Sequence, residues 1–146
     1  MSVIEINDAA GMVIEPTWLA RAELVHRQLR PHLLREYETR MRRVFAGGGR
    51  MCVAVSGQSV TGVAVYRVYE NTFDGLQMYV DDLVTDETHR STGVGKALML
   101  HLQRRAREAG CESYNLDSGV QRAQAHKFYF REGMAVVGFH FAKQVR

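Results

Sequence analysis

The spacing of apolar residues along the chain switches between two patterns, and each pattern predicts a different element. Alternating or continuous apolar and β-branched positions predict strands at 3–7, 51–55, 60–68, 76–84, 112–116 and 135–143. Apolar residues three or four positions apart predict helices, which lie at about 17–30, 34–46, 97–109 and 122–131. Strands interleaved with helices in this order predict an α/β fold built on a central sheet.

The segment from 76 to 108 places a strand, a polar turn, a glycine-containing loop and a helix in direct succession. In a regular strand Asp82 shares one face with Val80 and Val84, whereas Asp81 belongs to the opposite face. The helix that follows is marked by apolar residues at helical spacing and by a glycine just past its end. The glycine-containing loop therefore opens a helix.

The loop Arg90-Ser91-Thr92-Gly93-Val94-Gly95-Lys96 has the features of an anion site. The first N–H groups of a helix lack partners within the helix, and the helix dipole gives them partial positive charge. Gly93 and Gly95 have no side chain to block a ligand from the backbone. Arg90 and Lys96 add full positive charges. The sequence therefore predicts a site for a phosphate or pyrophosphate in this loop.

Two common phosphate-binding motifs do not fit the loop. A P-loop requires a glycine where Arg90 stands and a hydroxyl residue where Ala97 stands. The Rossmann pattern requires a third glycine where Leu98 stands. The remaining pattern, Arg-x-x-Gly-x-Gly between a strand and a helix, resembles the acetyl-CoA pyrophosphate loop of the GNAT superfamily of N-acetyltransferases.

A second motif lies in the predicted helix from 122 to 133, and it consists of a small residue, an aromatic pair and a helix-ending glycine. The residues that form it are Ala125, Phe128, Tyr129 and Gly133. This motif resembles the last helix of GNAT enzymes, and it follows the loop in the order that the superfamily uses. The run 120–143 is also similar to small bacterial aminoalkylphosphonate N-acetyltransferases.

The resemblance implies the fold and the cofactor. It implies one N-acetyltransferase domain over residues 1–146, with a mixed central sheet of about six to seven strands and helices on both faces. It implies acetyl-CoA as co-substrate, with the pantetheine arm bonded to the backbone of Leu83, Val84 and Thr85. The remaining expected cofactor contacts are Arg90, Ser91, Thr92, Gly93, Val94, Gly95, Lys96, Arg122 and Ala125. Arg122 replaces an asparagine that is frequent in the family, so whether it contacts CoA stays open.

Acetyl transfer to an amine needs a base for the amine proton, a donor for the thioester oxygen and an acid for the departing thiolate. Its place in the family pattern makes Tyr129 the expected acid. Asp82 is the candidate base, although a glutamate is more common at that position. Asp81 takes that role if a bulge in the strand reverses the face to which its side chain points. A water relay is a further alternative. Asp82 could instead attract the amine or pair with a basic residue.

Composition narrows the class of protein. The chain has 146 residues, of which 46% are hydrophobic and 24% charged, as in one ordinary globular domain. Its N-terminus lacks the pattern of a signal peptide, and no apolar run approaches the ~20 residues of a membrane helix, so we expect a cytoplasmic protein. The net charge of +3 is spread along the chain, which argues against a nucleic-acid partner. Two cysteines and scattered histidines predict neither a disulfide framework nor a metal site.

The expected function is transfer of an acetyl group from acetyl-CoA to a primary amine, most simply that of a small molecule. The alternatives are a protein or peptide N-acetyltransferase, and a module that binds acetyl-CoA without transferring it. The segments 18–45 and 69–75 are expected to shape the acceptor site, but they do not identify the acceptor. The resemblance also implies a homodimer.

Overall fold

The computed structural model describes residues 1–146 and contains five strands and four α-helices. The strands are β1 (Ser2–Glu5), β2 (Arg50–Ser56), β3 (Ser59–Asn71), β4 (Gly75–Thr85) and β5 (Ser113–Leu116). The α-helices are α1 (Pro16–Leu29), α2 (Tyr37–Ala46), α3 (Val94–Ala109) and α4 (Ala123–Arg131), and a short 3₁₀ helix covers Glu87–His89. The chain divides into two compact units, Met1–Asn115 and Leu116–Arg146.

The strands form one sheet in the order β1-β2-β3-β4-β5, with antiparallel pairing from β1 through β4. The Glu112 N–H donates to the Leu76 carbonyl at 2.7 Å, where β4 and β5 both begin. Since β5 has 4 residues and β4 has 11, the end of β4 continues without a strand on that side. This uncovered end leads directly into the 90–96 loop.

One face of the sheet packs against α1 and α2. The buried cluster joins helix residues Leu19, Ala22, Val25, Tyr37, Met41 and Phe45 to strand residues Met51, Val53, Val55, Val60, Val63, Val65 and Val84. Burial of each Val, Leu, Met or Phe side chain of this kind contributes about 1.5–3 kcal/mol. The cluster therefore fixes α1 and α2 over the middle of the sheet, next to the end of β4.

The opposite face packs against α3, which approaches β3 closely at Gly62. A Cβ atom placed on Gly62 would lie 2.6 Å from the Val94 side chain and 2.9 Å from the Leu98 side chain. Any other residue at position 62 would push the first turn of α3 away from the sheet. Gly62 thus allows α3, which begins in the 90–96 loop, to pack directly against the sheet.

The strand predicted at 135–143 does not form, and the sheet has five strands where about six to seven were expected. Residues 135–146 contain no helix or strand, and their backbone makes no hydrogen bond to other backbone groups. The alternating apolar residues correctly describe a segment suited to a strand. A strand also needs the edge of another strand to pair with, and alternation of residue types does not provide one. In this structure no strand pairs with 135–143.

The second unit is organised by α4. The helix ends as the sequence predicts, because Gly133 has φ of +88° and the Met134 N–H donates to the Tyr129 carbonyl at 3.0 Å. The His126 ring bonds the Gly119 carbonyl at 2.9 Å and closes the loop before α4. Across the whole structure, no helix is both long enough and apolar enough to pass through a membrane.

Candidate functional site

The end of β4 presents backbone groups on the side that no strand covers. The Asp86 N–H donates to the Thr61 carbonyl of β3 at 2.8 Å, so residue 86 directs its backbone toward β3. Successive strand residues direct their N–H and C=O groups to alternate sides. Val84 therefore also faces β3, whereas Leu83 and Thr85 face the open side. Of the three residues predicted to bond an extended ligand, Leu83 and Thr85 have the suitable orientation.

The first turn of α3 offers a group of unbonded amides. The first hydrogen bond of the helix runs from the Ala97 N–H to the Gly93 carbonyl at 3.0 Å. The N–H groups of Val94, Gly95 and Lys96 therefore have no partner within the helix. No acidic side chain lies in this turn to neutralise them. They form a donor group with the positive end of the helix dipole behind it, which suits a phosphate.

The loop before α3 is folded so that these amides are accessible. Ser91 has φ of +65° and Gly93 has φ of +89°, which are left-handed conformations that favour glycine. Turns of this kind align successive N–H groups around a concave anion site. The exposed residues of the loop are Arg90, Ser91, Thr92, Gly93 and Lys96, while Gly95 is half-buried and Val94 is buried. The buried Val94 side chain anchors the turn to the sheet.

The turn between β4 and the loop is held by hydrogen bonds around Asp86. Its carboxylate accepts from the Gln28 amide at 2.9 Å, from the Thr88 hydroxyl at 2.8 Å and from the His89 ring at 3.0 Å. The bond from Gln28 is the main reason that the pKa of Asp86 is lowered to about 2. The Thr92 hydroxyl donates to the His89 carbonyl. This bonded turn fixes the position of the loop relative to β4.

A bulge at Asp81 changes the predicted faces of β4. Val65 pairs with Asp82 but Tyr66 pairs with Val80, so Asp81 is an extra residue in the ladder. Val80 and Asp82 therefore lie on opposite faces, and the expectation that they share one is wrong. The reason is that one inserted residue reverses the alternation on one side of it.

The same bulge brings two carboxylates to one side of the sheet. Asp81 accepts two bonds from the Arg67 guanidinium, at 2.9 Å and 3.1 Å. Arg67 and Val65 are two residues apart on β3 and share a face, and Val65 is the partner of Asp82. Asp81 therefore lies on the α1 side with Asp82, as the bulge alternative required. Both side chains are engaged in ion pairs.

Asp82 is the centre of a network between β4, α1 and α2. One oxygen bonds the His26 ring at 2.6 Å, and the other accepts two bonds from the Arg30 guanidinium, at 2.6 Å and 2.9 Å. The second nitrogen of His26 bonds the Tyr37 hydroxyl at 2.7 Å. His26 and Tyr37 are buried, and the Asp82 side chain is only 13% exposed. Asp82 is thus anchored and largely shielded from water.

This network alters the role expected for Asp82. Burial alone would raise the pKa of its carboxyl, but the hydrogen bonds from His26 and Arg30 outweigh burial and lower that pKa. A carboxylate stabilised in this way is a weak proton acceptor near neutral pH. The sequence left several roles open for Asp82. The structure shows one of them, pairing with basic residues.

Four residues of these ion pairs and hydrogen bonds were not predicted from the sequence, namely His26, Arg30, Tyr37 and Arg67. A usable signal existed for the first two, because the helix predicted at 17–30 places His26 and Arg30, four residues apart, on one face. Two basic side chains on the buried side of a helix require an acidic partner. The sequence did not show which strand supplied it.

We predict that Asp82→Asn destabilises the protein by about 2–3 kcal/mol, because it leaves Arg30 and His26 facing each other without a carboxylate. The measurement is the free energy of unfolding from urea titrations. Because the pKa of Asp82 is lowered in the folded state, its contribution is present above the unfolded pKa of ~3.9 and is lost as the pH falls through the folded value. The difference between the two proteins should therefore shrink in acid.

Asp81→Asn is the matched control for this prediction. Its ion pair is more open, with the Asp81 and Arg67 side chains 33% and 43% exposed. Pairs at such sites contribute about 0–1 kcal/mol, so this variant should stay close to wild type. Equal effects of the two substitutions would mean that the Asp82 network does not hold α1 to β4.

The second unit contains the other predicted site residues. Tyr129 is half-buried in α4 and packs edge-on against Phe128, with ring centroids 5.5 Å apart. Burial raises the pKa of the Tyr129 hydroxyl, and the positive charge of Arg122 opposes that rise. Arg122 is exposed at the N-cap of α4, and Ala125 is half-buried. The hydroxyl is therefore kept in its protonated form over a wide pH range.

The expectation that the chain holds no metal remains a prediction. The structure does bring together donor atoms of Glu5, Cys52 and His101, all within 4.8 Å of one another. Glu5 already accepts bonds from the His101 ring and from the Tyr66 hydroxyl, at 2.8 Å and 2.9 Å. Burial also raises the pKa of the Cys52 thiol, which opposes the thiolate that metals require. Contacts within the protein thus account for this cluster.

Comparison with curated proteins identifies relatives that are named N-acetyltransferases. The uncharacterized N-acetyltransferase YhdJ of Bacillus subtilis (strain 168) is 39% identical over 72 residues, which are 49% of this chain and 51% of that protein. The aminoalkylphosphonate N-acetyltransferase of Salmonella typhimurium is 34% identical over 64 residues, which are 44% of this chain and 42% of that protein. The chain thus spans about half the length of the curated relatives it matches.

Solved structures share the fold at low sequence identity. The aminoglycoside N-acetyltransferase AAC(6')-Iy in complex with CoA has a TM-score of 0.82 at 17% identity, covering 99% of this chain and 94% of that one. A transcriptional regulator from Bacillus halodurans C-125 has a TM-score of 0.74 at 19% identity, covering 98% of each chain. These similarities confirm the predicted fold class.

A family model matches most of the chain, and the matched region includes both sequence motifs. That model is described as the acetyltransferase (GNAT) family, and it matches residues 17–134. The match covers α1 through α4, including the loop that opens α3 and the helix that carries Tyr129. The resemblance deduced from the two motifs is therefore confirmed, and the chain belongs to the acetyltransferase (GNAT) family.

Proposed function

We propose that this protein is an acetyl-CoA-dependent N-acetyltransferase that acts on the primary amine of a small molecule. The main support is the geometry at the end of β4. Backbone groups of Leu83 and Thr85 face a side that no strand covers, and the unbonded amides of Val94, Gly95 and Lys96 follow within a few residues. An extended arm ending in a diphosphate matches this arrangement of donors and acceptors.

The proposed positions of the cofactor follow from that match. The pantetheine arm pairs with Leu83 and Thr85 as an added strand would, and the diphosphate lies against the amides at 94–96. Arg90 and Lys96 are exposed beside these amides and supply positive charge. An N–H at the end of β4 is the proposed donor to the thioester oxygen, where negative charge develops during the reaction.

The proposed reaction proceeds by direct attack while both substrates are bound. The amine first loses a proton, and its nitrogen then attacks the thioester carbonyl carbon. A C–N bond forms, the C–S bond breaks, and the sulfur leaves as a thiolate that takes a proton from the Tyr129 hydroxyl. The attacking nitrogen loses a second proton to water as the amide forms, and Tyr129 regains a proton from solvent. One proton is therefore released in total when the amine binds as an ammonium ion. Tyr129 receives this role because it matches the family's position.

Water is the proposed acceptor of the amine proton. Asp82 and Asp81 are both held by guanidinium groups, so we propose that the amine proton leaves through water. The carboxylates of Asp81 and Asp82 then hold the end of β4 in position and give it negative charge. A small amine is favoured as acceptor because the Salmonella typhimurium relative is named an aminoalkylphosphonate N-acetyltransferase.

The test is turnover of acetyl-CoA with a panel of amines. The purified protein would be mixed with acetyl-CoA and with aminoalkylphosphonates, amino sugars, polyamines or peptides. Release of the CoA thiol and the mass of the product would both be recorded. We expect at least one small amine to gain an acetyl group. Turnover with peptides alone would indicate a protein acetyltransferase, and CoA binding with no turnover on any amine would indicate a sensor module.

A further inference from the structure

A cavity of about 230 Å³ lies between α3 and the sheet, on the face opposite α1 and α2. Its apolar wall comes from the loop after β1, from β3, from β4 and from the last turn of α3, and it consists of Ala9, Val68, Met78 and Ala109. Met78 is fully buried, whereas Ala9 and Ala109 are exposed. The cavity thus has an apolar floor and opens to solvent. At about 30 Å³ for each water-sized atom, it has room for roughly seven or eight non-hydrogen atoms.

The polar part of the wall consists of Arg50, Tyr66 and Arg105. Tyr66 is only 1% exposed, and the Arg50 guanidinium lies 5.9 Å from the centre of its ring. Arg105 reaches the cavity from α3. Two guanidinium groups from different elements therefore meet at one small cavity. Guanidinium groups are the side chains best suited to bind a carboxylate or a phosphate through paired hydrogen bonds.

The two guanidinium groups share the carboxylate of Glu5. Its oxygens lie 3.9 Å from Arg50 and 3.5 Å from Arg105, compared with about 2.7–2.9 Å in a strong charge-assisted hydrogen bond. Glu5 instead accepts short bonds from the Tyr66 hydroxyl, at 2.9 Å, and from the His101 ring, at 2.8 Å. Glu5 thus pairs only loosely with both arginines.

The other contacts of the two arginines leave part of their hydrogen-bonding capacity unused. Arg50 donates to the Asn7 carbonyl at 3.1 Å, and its buried Nε has no hydrogen-bond partner. Arg105 reaches Glu108 at 3.4 Å, but the Glu108 side chain is 54% exposed and also pairs with Arg104. An anion in the cavity would give both guanidinium groups an acceptor that the protein itself does not provide.

The state of His101 decides the charge balance at the cavity. An Arg104 nitrogen lies 3.0 Å from Nδ1 of His101, and because a guanidinium can only donate, Nδ1 is the acceptor. The other ring nitrogen then carries the hydrogen and donates to Glu5, so the ring is neutral. Arg50 and Arg105 thus bring two positive charges against the one negative charge of Glu5, a surplus that suits a monoanion.

We propose that this cavity binds a small monocarboxylate with a short apolar chain. The carboxylate accepts hydrogen bonds from Arg50 and Arg105, and the chain lies against Val68 and Met78. Inorganic phosphate fits less well, because it has no apolar part to place against this wall. The cavity is separate from the proposed cofactor site, since Arg105 follows the 90–96 loop by more than two turns of α3, roughly 14 Å along its axis.

Calorimetry with three small probes on the wild-type protein tests the site. Hexanoate has both the charge and the chain, acetate keeps the charge but lacks the chain, and hexanol keeps the chain but lacks the charge. We expect hexanoate to bind with a Kd of about 1 mM or lower, and acetate and hexanol to bind at least about tenfold more weakly. Saturating CoA should leave the Kd for hexanoate unchanged, because the two sites are separate.

Substitutions then locate the bound hexanoate. Arg105→Met should weaken hexanoate by about tenfold or more, because the carboxylate loses a charged donor. The matched control is Arg107→Met, which removes the same charge from an exposed position of α3 outside the cavity and should bind as wild type does. Ala109→Leu fills the opening without changing the charge, so it should abolish binding and it keeps the test valid if Arg105→Met does not fold.

Four results would each overturn the proposal. They are a wild-type protein that does not bind hexanoate, hexanol binding as tightly as hexanoate, competition between hexanoate and CoA, and an Ala109→Leu protein that binds hexanoate as wild type does. Equal weakening by Arg105→Met and Arg107→Met would also contradict it, because general surface charge would then account for the binding.

Discussion

Replacing Tyr129 with phenylalanine should lower kcat for acetyl transfer by about 100- to 1000-fold, since the departing thiolate would lose its proton donor. The ring and its packing on Phe128 would be kept, so the fold should not change. The KM for acetyl-CoA should stay close to wild type, because the hydroxyl acts on the sulfur as the bond breaks and not on the bound ground state.

The pKa of Tyr129 gives this prediction a second readout. Burial raises the pKa of the hydroxyl above its ordinary value of ~10, so the acid form persists through neutral and mildly alkaline solution. Loss of wild-type rate through ionisation of Tyr129 should therefore occur at a higher pH than ionisation of an ordinary tyrosine would give. The phenylalanine variant should show no such loss.

Tyr114→Phe is the control, because Tyr114 lies in β5 with its hydroxyl bonded to the Met99 sulfur at 2.8 Å, and its replacement also deletes one phenol hydroxyl. That variant should retain the wild-type rate. A Tyr129→Phe protein with near-normal kcat would remove Tyr129 from the chemistry and leave it a packing residue of α4.

Replacing Gly93 with valine should weaken binding of CoA by about 5- to 30-fold. Gly93 holds a left-handed conformation at the N-cap of α3, and a β-branched residue resists that conformation by about 1–2 kcal/mol. Relief of the strain would rotate the loop and turn the amides at 94–96 away from their common target. The measurement is the Kd for CoA by calorimetry.

Gly110→Val is the matched control at the other end of the same helix. Gly110 also has a left-handed conformation, with φ of +82°, and a Cβ atom at either glycine would meet nothing within 4 Å. Both variants should therefore lose similar stability from backbone strain. Only Gly93→Val should lose CoA affinity, and parallel losses in the two variants would mean that the effect on binding is indirect.

The parts of the site that sequence alone predicted are those set by short-range structure. The loop 90–96 and its helix depend on glycines, charges and a local hydrophobic spacing, all of which are adjacent in the chain. The place of Tyr129 in α4 and the end of that helix at Gly133 were predictable for the same reason. Each of these features is decided within about two turns of helix.

The parts that sequence did not predict depend on residues far apart in the chain. The bulge at Asp81 is set by the register between β3 and β4, and no residue type in β4 marks it. The partners of Asp82 lie 52 and 56 positions away, at the C-cap of α1 and within α1. The segment 135–143 has the composition of a strand, but whether it pairs depends on an edge elsewhere. Tertiary contacts therefore decided these features.

The most direct test of the cofactor site is a calorimetric comparison of CoA, dephospho-CoA and pantetheine on the wild-type protein. Dephospho-CoA keeps the diphosphate and the adenosine, whereas pantetheine lacks both. The comparison therefore measures the contribution of the nucleotide half of CoA, which carries the diphosphate proposed to contact the amides at 94–96. We predict that dephospho-CoA binds within about tenfold of CoA, whereas pantetheine binds at least about 100-fold more weakly. Pantetheine binding as tightly as CoA, or no binding of CoA at all, would contradict a diphosphate site at the start of α3.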